Sequence, residues 1–175
     1  FDRDTFGVTI DASGEALVAY WFFVALGDSL SDGKVLPERR FQRDWDGPWL
    51  GKSATTDNGW SVEFFLPWSM MNMPEVDGPR TIGFAAKRNI SATDQSYGWP
   101  GYAQSSARFV SALNELEVVG VQPRAQIAVI PFAAATYDQA SSDTDLKVGV
   151  DFSWKPSPKL ELAATANPDF GAVEA

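Results

Sequence analysis

The 175-residue chain is 45% hydrophobic and 21% charged, a balance that belongs to a folded chain rather than a disordered one. Its formal net charge of −9 repels phosphate backbones and argues against a nucleic-acid partner. Cysteine and histidine are both absent, which removes disulfides, thiolate chemistry, the usual zinc ligands and any His-based triad.

In chain order, Phe6 to Asp11 alternates apolar with small or polar residues, and Ala12 to Glu15 has turn composition. Ala16 to Leu26 is apolar on both faces, as a central buried strand would be, and completes a predicted hairpin. Gly27 to Pro37 reads as a polar loop, and Arg39 to Gly47 as charged and irregular. Trp49 to Ala54 and Trp60 to Leu66 are predicted strands around Asn58-Gly59, a pair that supplies the positive φ of a tight hairpin. Pro67 to Met71 predicts a short helical turn, and Arg80 to Arg88 a further strand. Ser91 to Gln104 reads as a loop, and Leu113 to Glu117 as a short helix or strand.

The character changes near Pro123, which places a domain boundary between 1–122 and 123–175. Gln126 to Tyr137 is a long β-like run. Leu146, Val148, Val150, Phe152 and Trp154 then alternate with Lys147, Gly149, Asp151 and Ser153. After a turn at Pro156-Ser157-Pro158, Leu160, Leu162, Ala164 and Ala166 resume the apolar face. Period two over about ten residues, a short turn and the same again is the pattern of a transmembrane β-hairpin. An amphipathic hairpin of a soluble sandwich has the same pattern. No stretch is long enough for a transmembrane helix, and the opening residues lack a signal-peptide layout. The chain starts close to a strand and stops at Ala175 without a closing element, so further material is expected at both ends.

Four phrases carry a family resemblance. Asn167 to Ala175 (Asn-Pro-Asp-Phe-Gly-Ala-Val-Glu-Ala) is the most specific, departing from the family's form only at Ala172. Phe6 to Asp11, Trp45-Asp46-Gly47-Pro48-Trp49, and Gly59-Trp60-Ser61-Val62-Glu63 with Leu66-Pro67 are the others. Together they resemble a family of Gram-negative outer-membrane proteins. Its members carry an N-terminal domain similar to family 9 carbohydrate-binding modules, followed by a large β-barrel of uncharacterised function. The resemblance implies an all-β chain: an antiparallel β-sandwich over 1–122, lacking the family's first strands, and the start of an outer-membrane β-barrel over 123–175. It also implies a non-enzymatic glycan-binding role, with outer-membrane lipid as the barrel's surroundings. A barrel transporter or assembly factor with a plug or protein-docking domain remains an alternative, as does a fragment of a carbohydrate-active hydrolase.

Aromatic faces stack on the C–H faces of pyranose rings. Trp45, Trp49, Tyr97, Trp99 and Tyr102, read as lying in loops or at strand ends, are therefore the candidate ligand residues. Hard cations need several oxygens. Asp28, Asp32, Asp44 and Asp46, with Ser29 beside them, are candidate calcium ligands, although solvated turn carboxylates have the same composition. Glu63 lies mid-strand in a framework phrase. No nucleophile elbow, phosphate loop or metalloprotease motif is present, so catalysis is not expected.

Overall fold

The computed structural model describes residues 3–101, 106–123, 125–138, 143–157 and 160–167. They form an all-β protein of antiparallel sheets, one of them curled as a half-barrel, with three short 3-10 turns and no α-helix. The chain divides into two compact units, Phe1–Gln122 and Pro123–Ala175.

The first unit is organised by one sheet. Strands β1 (Thr5–Asp11) and β2 (Ala19–Ala25) form the expected hairpin. β3 (Leu30–Leu36) pairs with β2, and the three-residue β4 (Arg40–Gln42) pairs with β3. Gly27 to Pro37 is thus not a loop. Its residues are polar because the strand carries Asp32 to one layer and Gly33 and Val35 to the other, and β2 supplies the backbone partners that sequence composition does not reveal.

The second sheet of this unit is the hairpin β5 (Leu50–Thr56) and β6 (Gly59–Phe65), with Thr56 opposite Gly59 across Asp57-Asn58. A 3-10 turn at Trp68–Met70 follows. β7 (Arg80–Ile90) then returns to lie against β1, with Ile10 opposite Phe84 and Thr5 opposite Asn89. Its outer edge is shared. β8 (Gln95–Trp99) pairs with the half near Ile90, and β9 (Asn114–Val118) with the half near Arg80. The segment read as a loop at Ser91 to Gln104 therefore contains a strand. A 3-10 turn and a left-handed Asp94 reverse the chain tightly enough for β8 to fold back on β7.

One face of the large sheet carries the main core. Val8, Ile10, Tyr20, Phe22, Val24 and Ile82 are buried there under Trp49, Met71 and Met73. Val62 and Phe64 of β6 and Trp45 and Trp68 of the connecting segments close it from above. Each fully buried side chain of this size contributes roughly 1.5–3 kcal/mol.

Two buried polar groups hold the loops. Arg80, 2% exposed, donates to the carbonyls of Pro74, Ala12 and Val121. Asp11 caps the β1–β2 turn by accepting from the amides of Ser13, Gly14 and Ala16 and from the Ser13 hydroxyl, at 2.7–3.0 Å.

The second unit is a three-stranded sheet of β10 (Gln126–Asp138), β11 (Asp143–Ser157) and β12 (Leu160–Ala166) in chain order. The pairing sets Val129 opposite Phe152 opposite Ala164, and Ile127 opposite Trp154 opposite Leu162.

Replacing Asp11 leaves several turn amides without an acceptor. Asp11→Ala is expected to cost about 2–4 kcal/mol, read from urea unfolding, with Asp11→Asn intermediate because one oxygen remains.

Candidate functional site

β2 presents different side chains to its two faces. Tyr20, Phe22 and Val24 enter the main core. Ala19 and Trp21 point the other way, into a smaller cluster with Val35, Phe109 and Val110, against which Phe23 also packs. Among the described residues this second face is covered only in part.

The cover is the segment leading into β9. The Glu38 carboxylate accepts from the Phe109 amide at 2.9 Å and the Ser111 amide at 3.2 Å. Those bonds, led by the Phe109 amide, hold its pKa below the ordinary carboxylate value. The Arg39 guanidinium donates to the Ser106 carbonyl and lies 5.8 Å from the Phe109 ring centre.

Beyond this cover the face opens into a cleft made of two adjoining hollows of about 490 and 460 Å³. Trp21, Phe23, Phe41 and Lys87 line both.

Glycines shape its floor. A Cβ at Gly7 would lie 2.5 Å from the Phe23 ring, and one at Gly33 would lie 2.6 Å from the Trp21 ring. The two aromatic rings therefore lie down over backbone on the neighbouring strands. Trp21 is further held by its indole N–H, which donates to the Lys34 carbonyl at 3.2 Å. Phe41, 51% exposed, rises at the β4 side with its ring 5.2 Å from that of Phe109. Opposite it stand Lys87 and Asn89 of β7 with Ser96 and Gly98 of β8. Asn89 is oriented by its amide, which donates to the Thr5 hydroxyl, and by the Ser96 hydroxyl, which donates to its carbonyl oxygen, both at 2.7 Å.

The residues singled out in the sequence are dispersed. Trp49 is buried in the main core, its ring stacked on Phe64 and edge-on to Phe22. Trp45 packs edge-on against Tyr20 and Phe22 on the same side, with the Lys34 ammonium 5.6 Å from its ring centre. Both serve the core on the face opposite the cleft. Tyr97 and Trp99 are not in a loop but on β8, where both are more than half exposed, and Tyr97 borders the cleft. Tyr102 lies outside the described residues.

The acids are dispersed as well. Asp32 accepts from the Trp49 indole N–H at 2.8 Å and the Gly47 amide at 2.9 Å, so it seats a core tryptophan. Asp28 accepts from the Ser53 amide and hydroxyl and pairs with Lys52, tying the β2–β3 turn to β5. Asp44 and Asp46 are exposed in the loop before β5, and Glu63 is exposed on β6. Among the described residues no three acidic side chains are grouped to hold a metal ion.

Trp21, Phe23 and Phe41 were not legible as site residues. Their only signals are a strand apolar on both faces and an aromatic set among Arg39, Arg40 and Arg43. Comparison with protein-family models, curated proteins and solved structures finds no match to the chain.

Two outcomes are expected. Trp49→Ala should cost about 3–5 kcal/mol in urea unfolding, whereas Trp99→Ala, removing a half-exposed ring, should cost about 1 kcal/mol or less. The pKa of Asp28 is lowered to about 2, chiefly by its hydrogen bond from Lys52. A lowered carboxylate pKa contributes stability that is complete above its ordinary value and is lost as pH falls through the folded one. The tie from Asp28 to Ser53 should therefore hold at about pH 4 and loosen toward pH 2. NMR titration of the Ser53 amide should show that step, and Asp28→Asn should abolish it; a midpoint at the ordinary carboxylate value would refute it.

Proposed function

We propose that the chain joins a non-enzymatic, carbohydrate-binding-module-like sandwich to the opening strands of an outer-membrane β-barrel. In this reading the first unit captures glycan-like ligands at the envelope of a Gram-negative cell.

The observation that carries the membrane half is the register of the second unit. It aligns Ile127, Val129, Pro131, Ala133 and Ala135 with Trp154, Phe152, Val150, Val148 and Leu146, and aligns Trp154, Phe152 and Val150 in turn with Leu162, Ala164 and Ala166. One face is thus apolar across all three strands. The other carries Lys147, Asp151, Ser153, Glu161 and Thr165, with a hydrogen bond from the Ser153 hydroxyl to Glu161, and β10 adds Ile130 and Phe132 to it.

The apolar face is open: Ile127 and Leu146 are each 67% exposed. From Leu146 to Trp154 it rises about 27 Å at roughly 3.4 Å per residue. Tilted by roughly 35–45° as barrel strands are, that run spans about 19–22 Å, most of an apolar band about 25 Å tall. Apolar-out and small-or-polar-in alternation is what lipid outside and water or packed side chains inside require.

The glycan half draws support from the cleft of the first unit. An aromatic floor flanked by amide and hydroxyl groups is suited to a sugar ring, whose faces are apolar and whose rim is polar. The acid bordering it, Asp32, is already engaged with Trp49, so no pair of carboxylates is available there among the described residues for glycosidic acid–base chemistry.

Flotation with phospholipid vesicles tests the membrane half. The intact chain should float. Val129→Arg, on the apolar face, should weaken association by about 2–4 kcal/mol, roughly 30- to 1000-fold, while Asp151→Asn on the other face should change it little. A chain that stays at the bottom of the gradient, or equal behaviour of the two variants, would reject the barrel reading.

A further inference from the structure

We infer that the cleft of the first unit takes an anionic saccharide, one bearing carboxylate or sulfate groups. This rests on the glycan-binding reading and adds a ligand class to it.

The chain as a whole is acidic, with 23 Asp and Glu against 14 Lys and Arg. The cleft reverses that balance. Arg39, Arg43 and Lys87 line it, and the bordering acid is Asp32. Asp32 sits on the register row of Phe22, toward the main core, where its carboxylate takes bonds from Trp49 and Gly47. Glu38, nearby, is spent on the amides of Phe109 and Ser111.

Arg39 is likewise engaged, with the Ser106 carbonyl and the Phe109 ring. Lys87 and Arg43 differ. Both are exposed, and the ion pairs among the described residues are Lys52 with Asp28 and Arg88 with Asp4. Among the described residues, two cations therefore flank an aromatic floor and no acid of the cleft pairs with them. A cation so placed on a protein of opposite net charge selects for an anion at that spot. The floor adds a second requirement. Phe23 and Phe41 offer apolar surface, which a simple inorganic anion does not use and a sugar ring does. Ring and charge together describe a uronate or a sulfated sugar.

Isothermal titration of the intact chain with three oligosaccharides of equal length tests this: an oligogalacturonate, a sulfated galactan and a neutral galactan. At least one anionic probe should bind ten times or more tighter than the neutral one, and which of the two does so identifies the group recognised. The Lys87→Ala, Arg43→Ala double variant should lose at least tenfold for that probe. Its urea midpoint should not move, because both side chains are exposed. Phe41→Ala should also weaken binding, which a merely electrostatic patch would not show. Equal affinity for neutral and anionic probes would overturn the anionic assignment and leave glycan binding standing. No binding of any probe would overturn both. Anionic binding undiminished in the double variant would place the site elsewhere and overturn this assignment.

Discussion

A strand that is apolar on both faces has to be covered twice, and β2 imposes that requirement on the whole first unit. Its Tyr20, Phe22 and Val24 demand a layer on one side, which the β5–β6 hairpin and the tryptophans at 45, 49 and 68 supply. Its Trp21 and Phe23 demand cover on the other side, which Phe109 and Val110 supply only in part. Water exclusion is complete where two sheets meet and incomplete where one short segment does the covering. The cleft is the uncovered remainder.

Aromatic rings laid over glycines recur as the means of tolerating that exposure. Phe23 lies against Gly7 and Trp21 against Gly33. In the second unit Phe132 lies against Gly149, where an added Cβ would collide with its ring. A ring pressed onto bare backbone buries one face without a covering layer. The other face is left to whatever occupies the space above. The same device thus covers bare backbone and prepares a flat apolar surface.

The acids do internal work. Asp11 caps a turn, Asp32 seats Trp49, Asp28 joins two sheets and Glu38 holds the partial cover. Each accepts backbone or indole N–H groups, most at partly buried positions, where a donor left without a partner costs more than the bond itself gains. The Asp28 and Asp32 carboxylates that composition suggested for calcium are drawn into such bonds. With these acids occupied, the exposed cations Lys87 and Arg43 set the character of the cleft.

Local pattern by itself determined the all-β class, the β1–β2 hairpin, a turn within Thr55 to Gly59 and the strands from Gln126 onward. Periodicity and turn chemistry are properties of neighbouring residues, so they can be read along the chain. Three strands escaped that reading, β3, β4 and β8, because a polar strand carries no apolar periodicity and exists through its backbone partner: β2 for β3, β3 for β4 and β7 for β8. The tertiary structure alone decided which aromatics line the cleft. Trp45 and Trp49 have the composition of a sugar platform, yet the core needed them. Trp21 and Phe23 have the composition of a core, yet lie on the face left open. A one-residue alternation separates those fates, and only the placement of the covering layers shows which side of the sheet is closed.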